Sequence, residues 1–324
     1  MIKLASAEEA ATKKATRAAY GVTLAALADE GVPVVAVDAD LSGSTTTGKF
    51  AAAKPEYKER LFNAGIAEQN MIDVAAGLSL TGNIAFTGSF AVFGTGRAYD
   101  QIRNTVCYSG LNVKIAPTHA GVSVGPDGGS HQMLEDVSLM RGLPNMTVLV
   151  PADYAAAASA IRLAAKTRGP VYVRMGRASV PCVYAEGVEL EIGRAYVLNE
   201  GADVTIVANG VEIREAMAAA RTLAEEGISA EVIDAFSVKP LDTETILASA
   251  RKTGAVVVAE EHSVYGGLCS AVSELLAQEL PTPTEFVAVR DHFGKSGEFE
   301  ELLAYFGLDA AAIVDAVKKV IARK

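Results

Sequence analysis

The chain has 324 residues, half of them hydrophobic, with a formal net charge of −10 and a pI near 5.0. That length allows two ordinary domains with buried cores, and the acid excess argues against a non-specific grip on nucleic acid or anionic membrane, both of which need surplus Lys and Arg. The opening MIKLASAEEAATKK lacks a basic start leading into a long apolar run, and no later stretch reaches about 18 apolar residues. These features place the protein in the cytoplasm. Cys107, Cys182 and Cys269 are odd in number and far apart, so core or surface thiols are expected, with no disulfide framework and no metal site.

Ser6 followed by Glu9 predicts a capping box, with a helix running on through the alanine-rich stretch to a cap at Gly31. The strand PVVAVD follows. Helix and strand then alternate: helix near 67–81, strand IAFTG at 84–88, helix near 95–108, strand VKIAPTH at 113–119, a further helix, strand MTVLVP at 146–151 and a helix. Short apolar runs between helices, with Gly at the joints, predict an α/β domain with a mainly parallel sheet covered by helices, over residues 1–177. Residues 178–202 carry polar turns and short strand-like pieces without helical period, as a linker would. The alternation restarts over 203–324, with strands at 203–208, 229–235, 254–260 and 285–289 and helices near 211–226, 242–252 and 266–278, which predicts a second α/β domain.

Ligands of parallel sheets collect at the carboxyl ends of the strands, so the loops after each strand carry the chemistry. After PVVAVD comes a Gly and hydroxyl cluster, Asp40 to Thr47, able to offer donors to a phosphate or to be only a solvated loop. After VKIAPTH, the run AGVSVGPDGGSHQ adds Asp127 and His131 to His119. One histidine is more often structural than catalytic, but two with a carboxylate in one Gly-rich loop suggest a site. Zinc is disfavoured, because the pair lacks i, i+4 spacing and no third soft ligand stands beside it.

Glu68 opens a strongly apolar helix, where a carboxylate is favoured by the helix dipole alone. Apolar surroundings would also raise its carboxyl pKa, which suits an acid that shares a proton with a weakly basic nitrogen. Phe90 and Phe93, in GSFAVFG, are core residues by spacing or ring faces for a flat heterocycle. Arg174 and Arg177 end a strand, either solvated or positioned for bidentate contact with a phosphate.

The motifs GIAEQNM, TGSFAVFG, THAGVSVGPDGGSHQ and LPNMTVLVPAD, in that order, resemble the pyrimidine-binding half of transketolases. The likeness covers nearly the whole chain, with the region from about 200 onward similar to the transketolase C-terminal domain. It implies thiamine diphosphate as cofactor, with Glu68 as the acid that hydrogen-bonds and activates the aminopyrimidine ring. Phe90 and Phe93 would line the pyrimidine pocket, and Asp40 would stand beside the cofactor. His131 would lie at the substrate carbonyl and His119 nearer the substrate chain, either one relaying protons or steadying alkoxide charge. Asp127 would read a substrate hydroxyl, while Lys13, Ser44 and Arg177 would hold the substrate phosphate.

Two departures stand out. Lys13 occupies a place where many transketolases have Arg, which puts bidentate recognition in doubt. Gly96 falls where a third pocket aromatic is expected. Full-length relatives also hold the diphosphate through a magnesium, or a calcium or manganese in its place, bound by a GDG motif followed by an Asn. This sequence contains no GDG.

With a clean start at Met1, the resemblance implies a split enzyme: a partner subunit with the GDG motif and the metal, self-association through the pyrimidine-binding domain into a heterotetramer, and sugar phosphates as substrates. The rival members of the cofactor class are the beta subunit of a 2-oxo-acid dehydrogenase and a 1-deoxyxylulose-5-phosphate synthase half. His119 has no recognised counterpart in either. A non-catalytic regulatory subunit would be expected to have lost Glu68, His119, Asp127 and His131, all of which are present.

Overall fold

The computed structural model of the protein describes residues 2–324. Two sheets organise it. The larger has seven strands in the order Ser237–Lys239, Thr147–Leu149, Val171–Val173, Val113–Ile115, Ile84–Gly88, Val34–Asp38, Leu61–Asn63. All pair in parallel except Ser237–Lys239, which runs antiparallel along Thr147–Leu149. The smaller sheet has five strands in the order Thr284–Val289, Val256–Ser263, Val204–Ala208, Ala230–Asp234, Tyr196–Asn199, with only the last antiparallel.

The central strands of both sheets are buried along their whole length, which is why they read as unbroken apolar runs. Helices such as Tyr20–Asp29 and Tyr154–Lys166 cover one face of the large sheet, and Glu68–Leu80 packs on the other. Two large apolar clusters result, with a small third one of Ala91, Ala120 and Met133. Each large cluster contains residues of both sheets, so the cores continue from one sheet into the next.

Several expectations change on contact with the structure. The Ser6–Glu9 capping box forms, but its helix ends at Ala11. That helix buries none of its residues, so packing gives it no reason to continue. Lys13–Ala15 instead pairs with Ser179–Pro181, a 3-10 turn follows at Thr16–Ala19, and the buried helix starts at Tyr20. The strand-like pieces expected in 178–202 find partners: Ser179–Pro181 in that pair, and Tyr196–Asn199 on the edge of the small sheet.

The helix expected near 95–108 is two π-helical segments, Val92–Arg97 and Gln101–Tyr108, wound wider than an α-helix. Of VKIAPTH only Val113–Ile115 is a strand, although Thr118 bridges to Phe90 further on. Two C-terminal helices, Phe299–Phe306 and Ala310–Ile321, were not anticipated; they pack Leu302, Leu303, Ile313 and Val317 into the core.

Phe86 is fully buried at the centre of the large sheet, 6.2 Å from the Tyr20 ring. Phe86→Ala is expected to lower the unfolding free energy by about 3–5 kcal/mol in equilibrium denaturation. A loss below about 1 kcal/mol would mean that the site collapses around the void or that the core is elsewhere.

Candidate functional site

The carboxyl ends of the large sheet's parallel strands point their following loops to one rim, and five of those loops deliver a candidate residue. Asp40 follows Val34–Asp38, Glu68 follows Leu61–Asn63, Phe90 follows Ile84–Gly88, His119 follows Val113–Ile115 and Arg177 follows Val171–Val173. Asp40 and His119 both hold positive φ, 65° and 61°, an uncommon conformation for residues with side chains that turns the chain sharply at the rim.

At one end of the rim, Glu68 is the first residue of the helix Glu68–Leu80, and its side chain is only 3 % exposed. The surroundings are not the apolar ones expected from the sequence. Oε1 accepts a hydrogen bond from Arg97 Nη1 at 2.9 Å, and the half-exposed guanidinium lies 4.7 Å from the centre of the Phe93 ring. Phe93 stacks 6.1 Å from Phe90, Phe90 stacks on His119 at 3.8 Å, and His131 meets Phe93 edge-on at 5.4 Å. The structure therefore brings Glu68, Phe90, Phe93, His119 and His131 into one contact chain. Beside it, Gly96 leaves room: a Cβ there would have only the Met133 methyl within 4 Å, at 3.9 Å. Asp40 is exposed, and its Oδ1 accepts from Asn63 Nδ2 at 2.8 Å, which ties its loop to the segment leading to Glu68.

At the other end lies a cavity of about 310 Å³ lined by Arg17, Arg177, Ser123, Gly125, Glu298 and Phe299. Arg17 donates to the Ser44 carbonyl at 2.5 Å, and Arg177 donates to the Val124 carbonyl at 2.6 Å. Burial and the nearby charge of Arg177 lower the Arg17 pKa, while Asp127 partly opposes them. Two guanidinium groups held this close disfavour each other until an anion joins them.

Lys13 does not belong to this set. It is exposed on the pair with Pro181, and its charge acts on Glu300. The cation that lines the cavity is Arg17, four residues on in the same ATKKATR segment, which the sequence did not single out. Arg174, the other strand-end arginine, is buried and ion-paired with Asp136 at 2.7 Å, so it is not available to a ligand.

His119 links the two ends. Its Nδ1 is 2.7 Å from Thr118 Oγ1, its ring lies on Phe90, and burial, aided by Arg17, Arg177 and His131, lowers its pKa to about 3. It is a neutral imidazole at physiological pH. Among the described residues, no group of three or more His, Cys, Asp or Glu side chains is placed to share an ion, and no helix is long and apolar enough to cross a membrane.

Residues 12–183 match the transketolase pyrimidine-binding domain and residues 193–313 the transketolase C-terminal domain. The chain belongs to the transketolase family. A solved structure described as a split gene transketolase, inactive beta4 tetramer, is 52% identical and superposes with a TM-score of 0.88, covering 95% of this chain and 98% of that one. A Methanocaldococcus jannaschii protein, named provisionally as a transketolase C-terminal section, is 47% identical over 94% of this chain and 95% of its own length. The 6-deoxy-6-sulfo-D-fructose transketolase subunit SqwH of Clostridium sp. is 45% identical over 90% of this chain and 89% of its own. Full-length transketolases are matched over only about half of their length. These relatives are transketolases and their subunits, which separates the chain from the 2-oxo-acid dehydrogenase and 1-deoxyxylulose-5-phosphate synthase readings.

The depressed His119 pKa has a signed consequence. The unfolded histidine titrates near 6.5, so the stability gained by keeping His119 neutral is present above about pH 6.5 and is lost as pH falls from there toward 3. In histidine NMR, the His119 ring resonances are expected to stay at neutral-form shifts from pH 9 down to about 5. A titration midpoint near 6.5 would contradict the buried, cation-flanked placement.

Proposed function

We propose that the chain is the C-terminal subunit of a thiamine diphosphate-dependent transketolase. It transfers a two-carbon ketol unit from a ketose phosphate to an aldose phosphate, and a partner subunit supplies the diphosphate and magnesium site. The observation that carries this reading is the two-ended rim: Glu68 with the Phe90 and Phe93 rings at one end, Arg17 and Arg177 at the other, and neutral His119 stacked on Phe90 within the field of both arginines. The residues present fit the flat pyrimidine half of the cofactor, while the sequence has no GDG motif for the diphosphate half.

When bound, thiamine diphosphate supplies the nucleophilic carbon and the electron sink for breaking the ketose C–C bond. The chain's own residues do the rest. Glu68 would hydrogen-bond the pyrimidine half of the cofactor, and Phe90 and Phe93 would line its pocket and exclude water. His119, with Nδ1 kept by Thr118, has Nε2 left to hydrogen-bond a substrate oxygen, and His131 beside Phe93 steadies the developing alkoxide. Asp127 and Ser44 contact substrate hydroxyl and phosphate oxygens, and Arg17 with Arg177 clamps the phosphate. Asp40 borders the cofactor.

The sequence's lack of GDG and the relative described as inactive in its beta4 form support a chain that assembles but does not turn over by itself. Ile66, Leu80 and Tyr108 are large, exposed apolar side chains around the Glu68 helix, which supports that face as the meeting place of subunits in a heterotetramer. A cytoplasmic place in sugar phosphate interconversion, such as the pentose phosphate pathway, accords with the acidic composition and the anion pocket.

The test is to combine the chain with a GDG-containing chain encoded beside it, thiamine diphosphate and magnesium, and to follow ketol transfer from xylulose 5-phosphate to ribose 5-phosphate. Turnover only in the mixture is expected; a native complex without turnover counts against the assignment. In that mixture Glu68→Ala should still assemble but lose at least about 100-fold in kcat. Arg17→Ala should raise KM for the phosphorylated acceptor about 10- to 100-fold, while Lys13→Ala stays near wild type. The reverse order of those two would restore Lys13 as the phosphate ligand.

A further inference from the structure

The Gly-rich loop that bears Asp127 and His131 is held from outside its own sheet. Glu261, near the end of the small-sheet strand Val256–Ser263, is buried and accepts hydrogen bonds from both the backbone N–H of Ser123 and its Oγ, the latter at 3.2 Å. Gly121, two residues earlier, sits at φ 81°, and a Cβ there would fall 2.2 Å from the Glu261 carboxyl carbon. The carboxylate thus fills the space that a side chain at 121 would need.

The other end of the loop is tied to the same place. Arg174 donates to the Glu261 carbonyl at 2.9 Å and to the Met133 carbonyl at 3.4 Å, and Gly121 N–H donates to that same Met133 carbonyl at 2.9 Å. Gln132 Nε2 spans the loop, donating to the carbonyls of Val122 and Gly125 and, at 2.9 Å, to Lys295 from the C-terminal domain. Ser123 is also a wall of the cavity shared by Arg17 and Arg177.

We infer that Glu261 is a positioning residue for the sugar phosphate site: through Ser123 it fixes the loop over residues 121–132, and so places Asp127 and His131 relative to Arg17 and Arg177. Glu261 thereby acts on the substrate from the C-terminal domain without lining the cavity itself. Naming the ligand rests on the transketolase reading; the ordering of the loop does not.

Hydrogen exchange on the full chain in its own assembly separates the two. Glu261→Ala should quicken amide exchange over 121–132 at least about tenfold, with the strand Val34–Asp38 unchanged and Glu261→Gln lying nearer to wild type. Where Glu261→Ala does not fold, Ser123→Ala removes one hydrogen bond of the pair and should loosen the same amides. In the active mixture, Glu261→Gln should raise KM for ribose 5-phosphate severalfold, and adding Ser123→Ala should cost less than the two single changes combined. Loop exchange equal to wild type, or exchange rising equally throughout the chain, overturns the inference, as does strict additivity in the double variant. Absence of ketol transfer in the wild-type mixture would remove the functional reading and leave the exchange result standing.

Discussion

Arg174 and Asp136 form an ion pair out of contact with solvent, 2.7 Å apart, at the seam between the two sheets. Burial alone would raise the Asp136 pKa, but Arg174, His262 and the Tyr172 hydroxyl reverse that and hold the carboxylate below its ordinary value. Removing either partner of such a pair leaves a buried charge uncompensated, a loss of about 3–5 kcal/mol. The pair also sets direction. Arg174 leaves the strand Val171–Val173 inward, toward Asp136 and the carbonyls of Met133 and Glu261, while Arg177, three residues on, is left for the rim. The Gly-rich loop is hung from this junction, and with it the geometry of the site.

A parallel sheet gathers the loops that follow its strands on one edge, so residues far apart in sequence meet without any of them lying in a contiguous motif. Here that edge joins two chemistries. Glu68 and the aromatic rings offer an acid and flat faces, while Arg17 and Arg177 offer charge. His119 is neutral because it is buried between them, and neutrality suits it to hydrogen bonding rather than to carrying charge. The sequence contains no GDG motif, which is why the proposal assigns the diphosphate to a partner subunit.

Much of this was legible in the residues. The unbroken apolar strands, the Gly at their joints and the order of the loops foretold two α/β units, and Glu68 was correctly expected at a helix start. Arg17 was hidden because the alanine-rich pattern suggested one continuous helix, whereas a three-residue ladder with Ser179–Pro181 interrupts it. Arg97 was hidden for a different reason. Its partner Glu68 lies 29 residues back, and an exposed arginine beside glycines looks solvated. Ser237–Lys239 is too short to show a period, yet it closes the large sheet's edge from within the second half of the chain. Glu261 lies in a strand whose pattern signals burial, and nothing local says that its carboxylate reaches a loop 138 residues earlier.

In the proposed assembly this chain holds half of a cofactor site. Titrating thiamine diphosphate with magnesium into the chain alone, into the GDG-containing partner alone and into their mixture, with binding followed by calorimetry, tests it most directly. Saturable binding is expected in the mixture at an affinity that neither chain reaches by itself, with loss of affinity when the mixture carries Glu68→Ala. Equal affinity for the isolated chain and the mixture would contradict it.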